Sequence, residues 1–113
     1  MITIDAQGKK LGRISTEVAK ALMGKHLPTF RRNTTTGIPV HLINIGKADI
    51  TTAKLRAVEY RTYSGHPGGL KKESALHLKG RLGLEEIFRR TISGMLPDNK
   101  LKPLMMKQLH IEE

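Results

Sequence analysis

Apolar positions along the chain change period several times, and each change marks an element. Over residues 1–5, Ile2 and Ile4 flank Thr3, the alternation of a short strand, and residues 5–8 then form a turn. Over 10–23 the period lengthens: Leu11, Ile14, Val18 and Leu22 recur at spacings of three and four, with Ala19 and Met23 beside them. That spacing predicts an amphipathic helix, and Gly24 stands where a helix is commonly closed. Residues 27–39 are polar and irregular. Residues 40–45, VHLINI, are the most nearly continuous apolar run, which suits a strand covered on both faces. We expect it to be the central strand, parallel to the first and joined to it by a right-handed crossover through the helix.

The second half is less regular. Residues 48–53 fit either a short strand or a turn, and 54–61 alternate at Leu55 and Ala57 before losing the pattern, so strand and helix both stay open. A glycine-rich stretch follows over 60–70, YRTYSGHPGGL. Residues 72–79 predict a short helix through Ala75, Leu76 and Leu78, broken over 80–83. Leu84, Ile87, Phe88 and Ile92 then share one helical face over 84–93, closed by Gly94 and stopped by Pro97. Glu85 and Glu86 fall in its first turn, where carboxylates favour the helix dipole, and they are read as helix-start charges and not as a catalytic pair. A further helix is predicted over 99–107, regular only if it starts near Pro103, with a last short strand over 109–111.

At 113 residues the chain fits a single domain, residues 1–113. Its core must be aliphatic, because it has no tryptophan and only two phenylalanines. The absence of cysteine removes disulfides and thiolate metal sites. Twenty Lys and Arg against ten Asp and Glu give a net charge of +10, a field that attracts polyanions. No run of 18 apolar residues is present to span a bilayer, and the first residues lack the pattern of a signal peptide, so a cytoplasmic location is expected.

Candidate chemistry concentrates in the glycine-rich stretch. The two tyrosines of the chain, Tyr60 and Tyr63, lie beside Ser64, Gly65, His66, Gly68 and Gly69, with Arg61, Lys71 and Lys72 at either side. Glycine permits close backbone approach, and the flanking cations supply charge for an anion, phosphate above all. The segment over 93–97, SGMLP, echoes it. The 27–39 loop carries Arg31, Arg32 and a threonine run that also suit phosphate. The strand, turn and helix of the N-terminus invite comparison with a nucleotide site. A P-loop is excluded, since only three residues separate Gly8 from Gly12 where four are needed, and Arg13 follows. His26, His41, His66, His77 and His110 show no metal-ligand spacing, and no Gly-x-Ser-x-Gly elbow occurs. No catalytic residues, metal or cofactor are expected.

Taken in order, these segments resemble the bacterial large-subunit ribosomal protein thirteen family over nearly the whole chain. The similarity is carried by IDAQGKKLGR from Ile4, by Gly24-Lys25-His26, by Thr36-Gly37 with Val40 and Ile43-Asn44, by Tyr60 with Ser64-Gly65-His66-Pro67-Gly68-Gly69-Leu70-Lys71, and by Gly94-Met95-Leu96-Pro97 with Asn99, Lys100 and Leu101. The chain departs from the family at Ile38-Pro39, where Asp is usual, at Thr52, where Gly is, and at Lys102-Pro103, where Gly-Arg is. The aromatic usual near the family's start is Ile2 here or absent, and the sequence stops at Glu113 short of a histidine-containing tail, which leaves that tail's contacts outside the expectation.

The resemblance implies a three-layer α/β/α fold around a small, mostly parallel sheet of about four strands. It also implies a structural role in the large ribosomal subunit, binding large-subunit rRNA early in assembly beside neighbouring ribosomal proteins. RNA would be read by shape, phosphate and 2′-hydroxyl contacts, with stacking on Tyr63. The expected RNA-binding residues are Lys9, Lys10, Arg13, Lys25, Arg31, Arg32, Lys54, Arg61, Tyr63, Ser64, Gly65, His66, Gly68, Gly69, Lys71, Lys72, Arg89, Arg90, Lys100 and Lys102. The alternative is a nucleic-acid-binding regulator acting outside the ribosome. An enzyme for a phosphorylated small molecule is favoured only by the turn at Gly8, and a membrane binder would lack an apolar face to insert.

Overall fold

A computed structural model describes residues 2–35 and 37–112. Met1, Thr36 and Glu113 lie outside the described residues, and with them the first residue of the predicted opening strand and the threonine of the Thr36-Gly37 pair.

Three strands, β1 (Ile2–Asp5), β2 (Val40–Ile43) and β5 (Leu109–Ile111), form an all-parallel sheet in the order β1-β2-β5. Strand β2 pairs with β1 on one edge and with β5, from the far end of the chain, on the other, so it is central, as its sequence predicts. The register stacks Ile2, Val40 and Leu109 in one row and Ile4, Leu42 and Ile111 in another, all on one face. Between them runs the row Thr3, His41 and His110 on the opposite face, where the two imidazoles lie 5.1 Å apart. Only the first face is sealed. Val40 and Leu42 are fully buried, whereas His41 and Ile43 are half-buried and Thr3, Asp5 and His110 are exposed. The expectation of a strand covered on both faces is therefore corrected for 40–45, and the strand also ends early. Asn44 turns the chain in a left-handed conformation, φ 59°, its amide donating to Asp5 Oδ1 at 3.0 Å, and Ile45–Lys47 forms a 3-10 turn.

Helix α1 (Leu11–Met23) connects β1 to β2, the crossover that parallel strands require. It buries Leu11, Ile14, Ser15, Val18, Ala19, Ala21 and Leu22, a stripe too broad for one neighbour, because the helix lies between the sheet and α4 (Leu84–Met95). Gly24 closes it at φ 78°, its N–H bonding to the carbonyls of Lys20 and Ala21. From α4 come Ile87, Phe88 and Ile92, all fully buried, to complete a single aliphatic core.

The middle of the chain differs most from its sequence reading. Residues 54–61 are two elements: α2 (Thr52–Ala57), capped by Thr51 Oγ1 accepting from Lys54 N at 3.3 Å, then β3 (Glu59–Tyr63). The helix expected over 72–79 begins instead at Ala75, since β4 (Leu70–Ser74) occupies its first residues and pairs antiparallel with β3. Helix α3 (Ala75–Leu82) then runs through Gly80 without breaking, that glycine being exposed, and α4 likewise passes Gly94 to Met95. The last helix, α5 (Lys102–Lys107), starts three residues later than expected, with Pro103 in its first turn. The expected α/β class stands. Its strands divide into three in the parallel sheet and two in a separate ribbon.

Candidate nucleic-acid interface

The glycine-rich stretch is the far end of the β3–β4 hairpin. In the register Glu59↔Ser74, Tyr60↔Glu73, Arg61↔Lys72, Thr62↔Lys71 and Tyr63↔Leu70, directly opposed residues share a face. One face thus carries Arg61 beside Lys72 and Tyr63 beside Leu70, the last two 68% and 55% exposed. The six-residue turn over 64–69 needs its glycines for two reasons. Gly65 and Gly68 hold φ of 89° and 76°, and a Cβ on Gly69 would run into Ser64 Oγ and meet the His66 carbonyl oxygen at 2.9 Å. His66, Lys71 and Lys72 are all exposed around it.

The base of the hairpin is fixed. Glu73 accepts from Arg81 Nε at 2.9 Å and Arg81 Nη2 at 2.8 Å, and its Oε1 lies 2.7 Å from His77 Nδ1, tying β4 to α3. The Arg81 fork, more than the imidazole, pulls the Glu73 carboxyl down to about 2. On the partner strand the Arg90 guanidinium lies 5.0 Å over the Tyr60 ring, while burial pushes the Tyr60 phenol up. The ribbon is anchored at one end and solvated at the other.

Ion pairing sorts the expected cations. Lys9 pairs with Glu17 at 3.3 Å, Arg61 with Glu59 at 3.9 Å, Arg89 with Glu85 at 2.7 Å, Arg90 with Glu86 at 3.1 Å and Lys102 with Asp98 at 2.7 Å. The Lys102 ammonium also holds the Asp98 carboxyl below the ordinary range. Lys10, Arg13, Lys25, Arg31, Arg32, Lys54, Lys71, Lys72 and Lys100 have no acidic partner among the described residues. Of the cations expected at the site, these nine are the most available to an external anion.

Two clefts bring distant candidates together. Lys54 and Arg90 meet at a cavity of about 250 Å³ floored by Leu55, Ala75 and Ile87, beside Tyr60 at the hairpin base. Lys25, Arg31 and Arg32 meet the SGMLP segment at another of about 600 Å³, where Met95, Leu96 and Pro97 face Phe30. The two signature stretches of the sequence thus serve different places, the hairpin and this second cleft. Lys9, Lys10 and Arg13 cluster at the start of α1, and Lys100 precedes α5. Phe30 and Leu70, both exposed, join the candidate site although the sequence reading did not single them out. An apolar residue followed directly by two cations, as in Phe30-Arg31-Arg32 and Leu70-Lys71-Lys72, was the available signal.

Among the described residues no group of three or more His, Asp or Glu is placed to hold a metal ion, and no helix is long and apolar enough to cross a membrane. What the arrangement can do is bind: cations and a positive-φ turn for phosphates, an exposed aromatic ring for a base.

Comparison with known proteins places the same segments in one family. A family model described as Ribosomal protein L13 matches residues 1–112. Among curated relatives, the large ribosomal subunit protein uL13 of Geobacillus sp. (strain WCH70) is 44% identical over 108 residues, covering 96% of this chain and 74% of the relative. That of Exiguobacterium sibiricum is 44% identical over 110 residues, covering 97% and 75%. That of Synechococcus elongatus is 41% identical over 108 residues, covering 96% and 71%.

Proposed function

Because the chain belongs to the ribosomal protein L13 family, we propose that it is a structural constituent of the large ribosomal subunit in the cytoplasm, held there by large-subunit rRNA and by neighbouring ribosomal proteins. It acts by binding and not by catalysis. Cations and turn amides neutralise and clamp rRNA phosphates, so that separate RNA segments are kept together while the subunit forms. The RNA-binding residues are those expected from the sequence, with the hairpin turn over 64–69 and the nine cations lacking an acidic partner foremost. A regulator acting outside the ribosome is not favoured.

The outer face of the hairpin carries this reading. Arg61, although 3.9 Å from Glu59, stands directly opposite Lys72, a like-charge juxtaposition that weakens a ribbon, and Tyr63 with Leu70 leaves apolar surface in water beside it. An isolated two-stranded ribbon is marginal already. A polyanion with unstacked bases removes both costs at once, neutralising the pair and covering the ring.

Binding of the purified protein to large-subunit rRNA tests this at several salt concentrations, beside a Gly68→Glu, Lys71→Glu double variant. With about 6 to 10 phosphate contacts, affinity falls by about 10³ to 10⁵ between about 50 and 200 mM salt, and the double variant binds more weakly with a shallower slope. Weak binding indifferent to RNA identity and to the double variant would reduce the protein to a generic polycation.

A further inference from the structure

The cleft between the 24–34 loop and the end of α4 has a composition that solvated charge does not explain. Its floor is Leu96 and Met105, each 4% exposed, and its walls include Phe30 and Met95, large apolar side chains left 37% and 40% exposed. Lys25, Arg31 and Arg32 stand around these walls, and among the described residues none of them has an acidic partner and no carboxylate lines the cleft. An apolar slot whose charged lining residues, among those described, are all cations is complementary to a ligand with an apolar body and an anionic attachment. Its volume, about 600 Å³, lies in the range of small-ligand sites.

We propose that this cleft receives a single unstacked nucleobase of large-subunit rRNA, stacked on Phe30 and packed against the methionines, with its adjoining phosphates on Arg31 and Arg32. The inference rests on the ribosomal reading above and assigns it a second, separate subsite. Splayed-out bases are taken up in this way, on aromatic rings and guanidinium planes. Thioethers add polarizable contacts to a ring, and Met23, Met95 and Met105 all line the cleft. Asn99 supplies the polar element. Its Oδ1 accepts from the backbone N–H of Leu101 at 3.0 Å and of Lys102 at 3.2 Å, which orients the amide and leaves its NH₂ to donate to an acceptor on a base edge.

The chain has no tryptophan, so Phe30→Trp installs a single indole in the cleft wall. On titration with a full-length large-subunit rRNA transcript, the indole emission is expected to be quenched by stacking, saturating together with binding followed by filter retention. Phe30→Ala lowers affinity about 10-fold and leaves the salt slope unchanged, since no phosphate contact is lost. An Arg31→Ala, Arg32→Ala double variant instead flattens the slope by about 2. Thermal melts show that each variant is folded. Unquenched emission with normal rRNA affinity and slope overturns the base subsite while leaving the ribosomal reading intact; no rRNA retention by the wild-type chain overturns both. A response of the indole to proteins stripped from large subunits, but not to rRNA, gives the cleft to a protein side chain and also overturns the proposal.

Discussion

Glu73 sits at the seam between the hairpin and α3, and its carboxylate ties the ribbon to that helix through Arg81 and His77. The Arg81 fork stabilises the ionised form, with the neighbouring His77 nitrogen adding to it, and the carboxyl falls from its usual 4.5 to about 2. A folded-state value below the unfolded one contributes stability that is fully present above about 4.5 and is lost as pH falls toward about 2. Glu73→Gln removes the titration. The wild-type melting temperature should therefore drop more steeply between about pH 5 and pH 2.5 than that of the variant, and parallel curves would show that Glu73 does not titrate as its contacts require. The Arg81 fork was not readable in advance: on the helix predicted over 72–79, His77 would already neighbour residue 73 at i,i+4, but Arg81 would lie two turns away, and it reaches Glu73 because the chain changes from strand to helix at Ser74. By contrast, the local glycine signals at 24 and over 65–69 were plain, because a turn that needs positive φ or missing Cβ atoms must spell itself in glycine.

At the scale of elements, the two sets of cations assigned to RNA differ in what already neutralises them. Arg89 and Arg90 bond Glu85 and Glu86 one turn earlier on their own helix. Lys71 and Lys72 project from a strand whose opposed residues are Thr62 and Arg61, and neither forms an ion pair with a carboxylate among the described residues. A cation with an intramolecular counterion adds less to the ions displaced when phosphate arrives. Arg89→Ala should thus leave the salt slope of rRNA binding nearly unchanged, while Lys72→Ala reduces it by about one. Equal reductions would mean that the helix pairs open on RNA. The two elements also differ in legibility. Helix α4 announces itself by Leu84, Ile87, Phe88 and Ile92, buried or half-buried at helical spacing, and its ion pairs follow from the same period. The hairpin has no such signature, because both of its faces are solvated beyond Tyr60 and Glu73 and alternation has nothing to register. Tertiary pairing decided it, and the short helix α2 before it confounded the pattern further.

The whole molecule is a plate of 46 × 36 × 17 Å, and its radius of gyration of 15.1 Å exceeds the about 13 Å of a compact domain this size. Net charge was legible from composition; its distribution was not. Six of the twenty Lys and Arg bond an acid among the described residues, and the other fourteen do not. At about 0.01 M ionic strength the screening length is about 30 Å, longer than the plate is thick, so these charges repel one another from face to face. At about 0.1 M it shrinks to about 10 Å and the repulsion becomes local. Salt must then act with opposite signs on the two things the protein does. It weakens attachment to rRNA by restoring counterions to phosphate, and it strengthens the isolated fold by screening self-repulsion. We expect the RNA-free protein to melt about 4 °C higher near 0.2 M than near 0.01 M potassium chloride, a gain on the order of 1 kcal/mol, as followed by circular dichroism. A melting temperature that falls with salt would mean that the surface ion pairs outweigh the surplus charge. Such pairs between exposed groups are worth about 0 to 1 kcal/mol each and are screened over the same range, which makes the rise the stronger expectation for a chain of net charge +10.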